Sequence, residues 1–458
     1  MKRLPFRRFV SASLAVAVAI GIAVGHAQNG AAKPRRIAVF GSSVANGTGD
    51  ELAKEGYTGR LRELLAPRGW EVLNQSRGGD NTIRMAPRFA PAGAPEPNVR
   101  YLLPVKPTYV LLGLSLGNEG IRDAATRADK DAIFDQFAKG MRGFVDRSRQ
   151  NGIVPVITLC YTRMDFTDIE YEYTRRMNVL INSWDVPTVN FLGAVDDGTG
   201  KWARGFWFDS LHPNAAGHVE ITRTFVPTMF EALERGKPMP QRVISDNFIH
   251  LTAGDLRIVF APTDPVHPFA YGFTARAQQN GTVATIGGRR LDIAIEGKKF
   301  ERSGRTVEFE SATLTPGTAF VSAVVVDNGL WKYRAADGRL IRSDVPADRQ
   351  WHQILVSHYT ARGETLFFVD GKPAGATPER LEPARFTLGG TAGFDARDFV
   401  LYRSALNGDE AAALHGGALL QASLEIYSPL DNVELRAGAS VANLAQSTTS
   451  AQVQLGGH

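Results

Sequence analysis

One cysteine, Cys160, occurs in 458 residues. No disulfide can form within the chain, and stability has to come from packed apolar cores. Cys160 ends the apolar run 153–159 and reads as a small buried residue; a catalytic thiol is the lesser reading, because no histidine lies near it in sequence. No run of clustered lysine and arginine interleaved with aromatics follows the first residues, which argues against nucleic acid as a partner. Long apolar stretches are also scarce. The one at 12–24 follows Lys2, Arg3, Arg7 and Arg8 and leads to small residues with a cut expected after Ala27. It is short for a bilayer span and laid out as a secretory signal, so export to the periplasm or beyond the cell is expected, with an uncleaved anchor as the alternative. Those four cations, taken from the formal +5, leave +1 for the mature chain. The basicity is mostly the signal, and no membrane association is expected once it is cleaved. No internal repeat is evident, and no long apolar lid segment.

What is present is alternation. The length implies two or three domains. Short apolar runs at 37–40, 70–73, 108–114, 153–159 and 188–191 read as buried strands, and 51–66, 129–150, 168–184 and 215–234 carry helical spacing. This rhythm predicts a parallel sheet with helices on both faces, a three-layer α/β/α arrangement. In such sheets chemistry collects at the carboxyl ends of the strands.

Residues able to do chemistry fall on that edge. Asp209 and His212 stand three apart before the last predicted helix, a spacing that lets the carboxylate orient the imidazole; the plain alternative is a helix start with Asp209 as its cap. Only His212 and His218 occur between Lys33 and Arg235, and His218 sits inside the predicted helix, where it reads as packed or exposed. A serine needs such a base to act as a nucleophile, and Ser42 and Ser43 follow the first strand. Gly78 and Gly79 follow the second strand, Gly117 and Asn118 the third. Tyr161, Arg163, Asp165, Arg77 and Glu119 are open as cleft-lining residues or as solvated loop residues.

Gly41-Ser42-Ser43, Gly79 within Asn74-Gln75-Ser76-Arg77-Gly78-Gly79-Asp80, Gly117-Asn118 and Asp209-x-x-His212 resemble, in order, the sequence blocks of SGNH or GDSL-type hydrolases. The resemblance covers 33–235 and implies that the three-layer fold is flavodoxin-like. It implies Ser43 as nucleophile, the N–H groups of Ser43 and Gly79 with the Asn118 amide as oxyanion donors, Asp209 and His212 as the rest of a triad, and no metal or organic cofactor. Two departures stand out: Ser42 replaces the usual aspartate and leaves a second serine as a lesser candidate, and Glu119 replaces the aspartate that usually follows the asparagine.

Past Gly236-Lys237-Pro238-Met239-Pro240, which reads as a linker over 236–248, strand-like runs recur at 269–275, 290–296, 306–310, 319–326, 351–359, 365–369, 385–388 and 398–402, with turns such as Asp370-Gly371. An antiparallel β-sandwich is expected over 249–430. From Trp351 to Leu414 it resembles a laminin-G-like or concanavalin-A-like jelly roll, whose implied partners are carbohydrate or protein; a spacer that binds nothing is the alternative. Trp331 and Tyr333 are read first as core residues and second as sugar platforms. A calcium site stays open, since loop aspartates such as Asp395 are too common to name ligands. A returning edge strand is expected at 424–430, and in the tail 431–458 the last residues, 447–458, are expected to lack order.

The reading is an exported serine esterase that removes acetyl or similar small acyl groups from carbohydrate. A lipase-like esterase or thioesterase acting on other acyl esters is one alternative. A carbohydrate-binding protein with a degenerate hydrolase domain is the other.

Overall fold

The computed structural model describes residues 35–302 and 305–456. The expected export signal, 1–27, lies outside them. A parallel sheet forms from β1 (Arg36–Gly41), β2 (Glu71–Asn74), β3 (Tyr109–Gly113), β4 (Val154–Thr158) and β5 (Thr188–Val189), in the spatial order β2-β1-β3-β4-β5. Its strands are continuous apolar runs because both faces are covered. Ile37, Val39, Leu111 and Val156 pack on one side, and Ala38, Phe40, Val110, Leu112 and Ile157 on the other.

The covering helices are α1 (Ser43–Asn46), α2 (Gly56–Leu65), α3 (Thr82–Met85), α4 (Arg127–Gln150), α5 (Asp168–Asn182) and α6 (Leu192–Val195). A two-stranded turn, β6 (Trp207–Asp209) and β7 (His212–Pro213), leads into α7 (Ala215–Arg223) and α8 (Met229–Glu234). The two longest start as their sequences dictate: Thr126 with Asp129 and Thr167 with Glu170 make reciprocal capping boxes. Two expected helices differ. The one expected over 51–66 begins only at Gly56, because the Asp50 carboxylate accepts the N–H groups of Leu52, Lys54 and Gly56 and folds the preceding residues into a turn. The one expected over 215–234 is two helices. Pro227 lies in the gap, where it has no N–H to donate and would clash with the preceding turn.

After 236–248 the chain is antiparallel. Its elements are β8 (Ile249–Leu251), β9 (Leu256–Phe260), β10 (Phe269–Ala277), β11 (Gly281–Arg302), β12 (Arg305–Asp327), β13 (Leu330–Arg334), β14 (Leu340–Pro346), β15 (His352–Tyr359), β16 (Glu364–Val369), β17 (Lys372–Pro378), β18 (Leu381–Leu388), β19 (Phe394–Tyr402), α9 (Gly408–His415), β20 (Leu424–Ser428), β21 (Ser440–Val441) and β22 (Ala451–Leu455). One sheet runs β17-β16-β15-β10-β19-β20, with β8 also on β19; the other runs β14-β13-β12-β11-β18-β9-β22-β21. They share one apolar core, in which Phe260 stacks on Phe399 at 3.7 Å between ring centroids, the arrangement of a β-sandwich. Trp331 and Tyr333 are fully buried in that core and are not platforms.

Three separate runs of the sequence, 290–296, 306–310 and 319–326, belong to a single hairpin, β11–β12, whose strands have 22 and 23 residues. The register slips between Arg289 and Leu291, opposite Pro316, and this break hides the continuity. The tail also differs from expectation. Ala451–Leu455 is a strand paired with Leu256–Phe260, burying Ala451 and Val453.

From Arg35 onward the α/β domain and the β region are one compact unit. Asn190 donates to Glu410 at 2.9 Å, Asn182 accepts the N–H groups of Gln421 and Ala422, and Ser423 N–H reaches Thr188 O at 3.0 Å.

Candidate active site

The order of the parallel sheet reverses between β1 and β3, and their carboxyl ends open a crevice there. Gly41 and Gly113 are paired across it, and a Cβ on Gly41 would lie 2.2 Å from Gly113 O, so only glycine lets the two strand ends close up. Ser42 N–H then donates to Gly113 O at 3.2 Å. That bond turns Ser42 inward: it is fully buried and its hydroxyl has no partner among the described residues. Ser43, one residue on, is half-buried at the first position of α1, where its N–H has no intrahelical acceptor. The pair of serines left ambiguous by sequence is thus divided by orientation.

The loop after β2 carries Gly78 and Gly79, both exposed, and a Cβ on Gly78 would approach Ser43 Cβ to 3.8 Å. Gly79 has φ +81, a backbone that L side chains rarely adopt, and its Cβ position is otherwise empty. Asp80 anchors this loop. Its buried carboxylate accepts Arg77 Nη2 at 2.7 Å and Arg88 Nε at 2.7 Å, with a second bond from Arg88 Nη2.

After β3, Ser115 N–H donates to Asn118 Oδ1 at 2.9 Å, closing a capping box. With its oxygen occupied, Asn118 presents Nδ2, which has no hydrogen-bond partner among the described residues. Glu119 turns the other way and is buried. It accepts Thr82 N–H at 2.5 Å, Thr82 Oγ1 and Gln136 Nε2, tying the β3 loop to the start of α3. The departure from Asn-Asp is therefore a packing change and leaves the amide side untouched.

His212 Nδ1 lies 2.8 and 2.9 Å from the two Asp209 oxygens, and its Nε2 has no partner among the described residues. Burial raises the Asp209 carboxyl, but the His212 hydrogen bond and charge and the N–H groups of Leu211 and His212 outweigh it, so it stays below the usual carboxylate range. Asp209 is not the cap of α7. Asn214 is, accepting Gly217 N–H at 2.9 Å. β7, which carries His212, packs beside α1, which begins at Ser43, yet Ser43 Oγ and His212 are not hydrogen-bonded in this structure.

His218 is fully buried. Its Nδ1 accepts Tyr57 N–H at 3.1 Å, its Nε2 faces Thr48 O, and burial pushes it down to about 4, so it is a neutral framework residue. Cys160 is buried and its thiol is pushed up to about 12 by burial. Of the remaining cleft candidates, Tyr161 is buried against Trp202, and Arg163 pairs with Asp165 and donates to Gly117 O at 2.8 Å, holding the β3 loop from behind. Arg77 is spent on Asp80. Sequence reasoning gave no role to Ser115, Asp80 or Asn214. Asn214, in the motif Asn-x-x-Gly before an apolar helix, carried a readable cap signal; the other two had none.

The family described as GDSL-like Lipase/Acylhydrolase matches residues 39–219. That stretch is a GDSL-like hydrolase domain. No curated protein matches the chain. Among solved structures it is similar to a lipolytic protein of the G-D-S-L family from Desulfitobacterium hafniense, at 14% identity over 41% of this chain and 95% of that one, with a TM-score of 0.33. An acetylxylan esterase from Geobacillus stearothermophilus is similar at 13% identity over 41% and 90%, TM-score 0.30. A heptameric pentraxin from Limulus polyphemus is similar at 10% identity over 41% and 94%, TM-score 0.27. The matched residues 39–219 hold all four sequence blocks, and the family's description supports an ester hydrolase.

Proposed function

We propose that the protein is an exported serine esterase that removes acetyl or similarly small acyl groups from carbohydrate. The observation that carries the reading is the His212 imidazole held by both Asp209 oxygens, its other nitrogen without a partner among the described residues, on the element packed beside Ser43. In this mechanism Ser43 attacks the ester carbonyl and His212 Nε2 takes its proton and returns it to the leaving alcohol. Water then hydrolyses the acyl-enzyme through the same base. The hydrogen bond from Ser43 to His212, open here, closes when bound substrate excludes water. The carbonyl oxygen becomes negative during attack and is met by Ser43 N–H, Gly79 N–H and Asn118 Nδ2. Preference for a small acyl group and a large alcohol is supported by the openness of the rim: Gly78 and Gly79 are exposed and the Asp209 side chain is 40% exposed. The attached β region supports a polymeric substrate, and the segment 1–27 supports export.

The test is acetate release from a panel of acetylated polysaccharides and from a small aryl acetate, by the full chain and by Ser43→Ala. Release by the wild type that is lost in the variant supports the assignment. Cleavage confined to long-chain aryl esters moves the substrate to lipids, and activity surviving in Ser43→Ala removes Ser43 from its role.

A further inference from the structure

The hairpin β11–β12 is longer than the sheet it belongs to. β18 pairs with β11 only up to Arg290 and β13 with β12 only down from Ala323. From Leu291 and Pro316 to its end the hairpin is a two-stranded ribbon, roughly 40 Å long at the usual rise per residue. Such a ribbon is marginal in water by itself. This one lies against the α/β domain, on the turn that carries Asp209 and His212.

Its contacts there are specific. Ala312 N–H donates to Gly205 O at 2.8 Å. Asn214, fully buried two residues after His212, donates from one amide nitrogen to both Glu310 O and Gly205 O at 2.9 Å, while its oxygen caps α7. Gly205 has φ +87, and a Cβ there would lie 3.0 Å from Ala312 Cβ, so glycine is what lets the ribbon seat. Beside Asp209, Phe208 is covered by Phe309 at 5.0 Å and Phe300 at 5.7 Å between centroids. On the far side of the turn Phe208 Cβ and His212 Cβ both pack within about 3 Å of the position a Gly49 side chain would occupy. Lys298 faces Glu51 at 3.7 Å, and Glu51 accepts the N–H of Ala215, the first residue of α7.

The turn itself is three residues of β6 and two of β7, a sheet of two strands whose tip is tied to the α/β domain by Met164 N–H donating to Ser210 O at 2.9 Å. So short a pairing is marginal by itself, and the orientation of the Asp209–His212 pair depends on what packs around it. We infer that the ribbon is a positioning element for the Asp209–His212 pair, so that the β region completes the active site of the α/β domain, with Phe309, Phe300 and the Glu310–Ala312 backbone acting through Phe208 and Asn214. This inference rests on the esterase reading for its kinetic consequence, though not for its geometry.

The test uses the full chain with Phe309→Ala, Phe309→Leu and Phe300→Ala, and His250→Ala as a variant remote from the ribbon. Two quantities are read: kcat and KM on a small aryl acetate, and the low-field proton resonance of the His212 Nδ1–H bond, assigned by its loss in His212→Gln. Phe309→Ala is expected to lower kcat roughly 10- to 100-fold with KM nearly unchanged, the effect of a slightly misplaced base. The His212 resonance broadens through solvent exchange, Phe309→Leu restores most of both, and His250→Ala changes neither. If Phe309→Ala does not fold, Phe300→Ala, at a half-exposed site, carries the same expectation at smaller amplitude. Unchanged kcat and an unchanged resonance in the folded variants overturn the inference, as does a kcat loss that only tracks the folded fraction while the resonance is intact. A wild type that cleaves no ester fails the esterase reading, and the resonance still decides the ribbon.

Discussion

Ser42 and Ser43 differ by one position and by everything that matters chemically. Ser42 is fully buried with a hydroxyl that has no partner among the described residues, so Ser42→Ala removes a group that cost desolvation and returned no hydrogen bond there. Its melting temperature is expected to stay level or rise, with esterase activity retained, in a thermal scan paired with an aryl acetate assay. Asn118 is the opposite case, a side chain with its oxygen held by Ser115 N–H and its nitrogen without a partner among the described residues. Asn118→Ala is expected to lower kcat on the order of 10²- to 10³-fold while far-UV and near-UV circular dichroism stay unchanged, the usual consequence of removing one oxyanion donor. A loss confined to KM would move Asn118 from oxyanion stabilisation to substrate binding. Ser42, Ser43 and Asn118 were all named from their order along the chain. Which serine faces out was not readable, because it depends on how closely β1 and β3 approach.

At the scale of elements, the rim is made of three loops, each fixed by a buried charge or amide. The β2 loop depends on Asp80, whose side chain is 1% exposed beside an Arg88 guanidinium that is 3% exposed. Removing only the carboxylate leaves a buried cation with no counter-charge, so Asp80→Ala is expected to destabilise the protein by about 3–5 kcal/mol in urea unfolding. A cost near zero would mean that Arg88 finds another acceptor in the Gln75 and Arg100 carbonyls it already bonds. The expected strands of the parallel sheet were legible because continuous apolar runs report burial on both faces. The expected helix over 215–234 was not, since apolar spacing continues across Pro227 and only the proline marks the break. The β11–β12 hairpin was split into pieces because Gly297, Lys298 and Lys299 in β11 and Pro316 and Gly317 in β12 interrupt the apolar alternation within strands that continue through them.

At the scale of the whole molecule, the two halves meet through buried polar groups as well as apolar ones. His267 is buried between Glu220 of α7 at 3.2 Å and Glu382 of β18 at 3.4 Å. Burial alone would lower its pKa, but the two carboxylates outweigh it and raise it to about 9 from 6.5. A raised folded-state value means that the protonated ring binds more tightly in the folded protein. The stabilisation is complete below about pH 6.5 and is lost as the pH climbs through about 9. The wild-type melting temperature is therefore expected to fall between pH 7 and pH 10 by more than that of His267→Gln. Parallel curves for the two proteins would show that the ring is neutral in the folded state.

The amino-acid order by itself determined the parallel α/β class, the antiparallel second half and the four short blocks that carry the candidate site. Each depends on local periodicity or on residues within one turn or loop. The tertiary structure alone decided which serine is outward, that Glu119 and Tyr161 are packed, that Trp331 and Tyr333 are core, and that a ribbon from the second half seats against the Asp209–His212 turn. These are contacts between residues in separate elements, 37 positions apart for Glu119 and Thr82 and 96 for Asn214 and Glu310, or approaches of one backbone to another. They arise when separate apolar surfaces are buried against each other, which leaves no periodic trace in either segment alone.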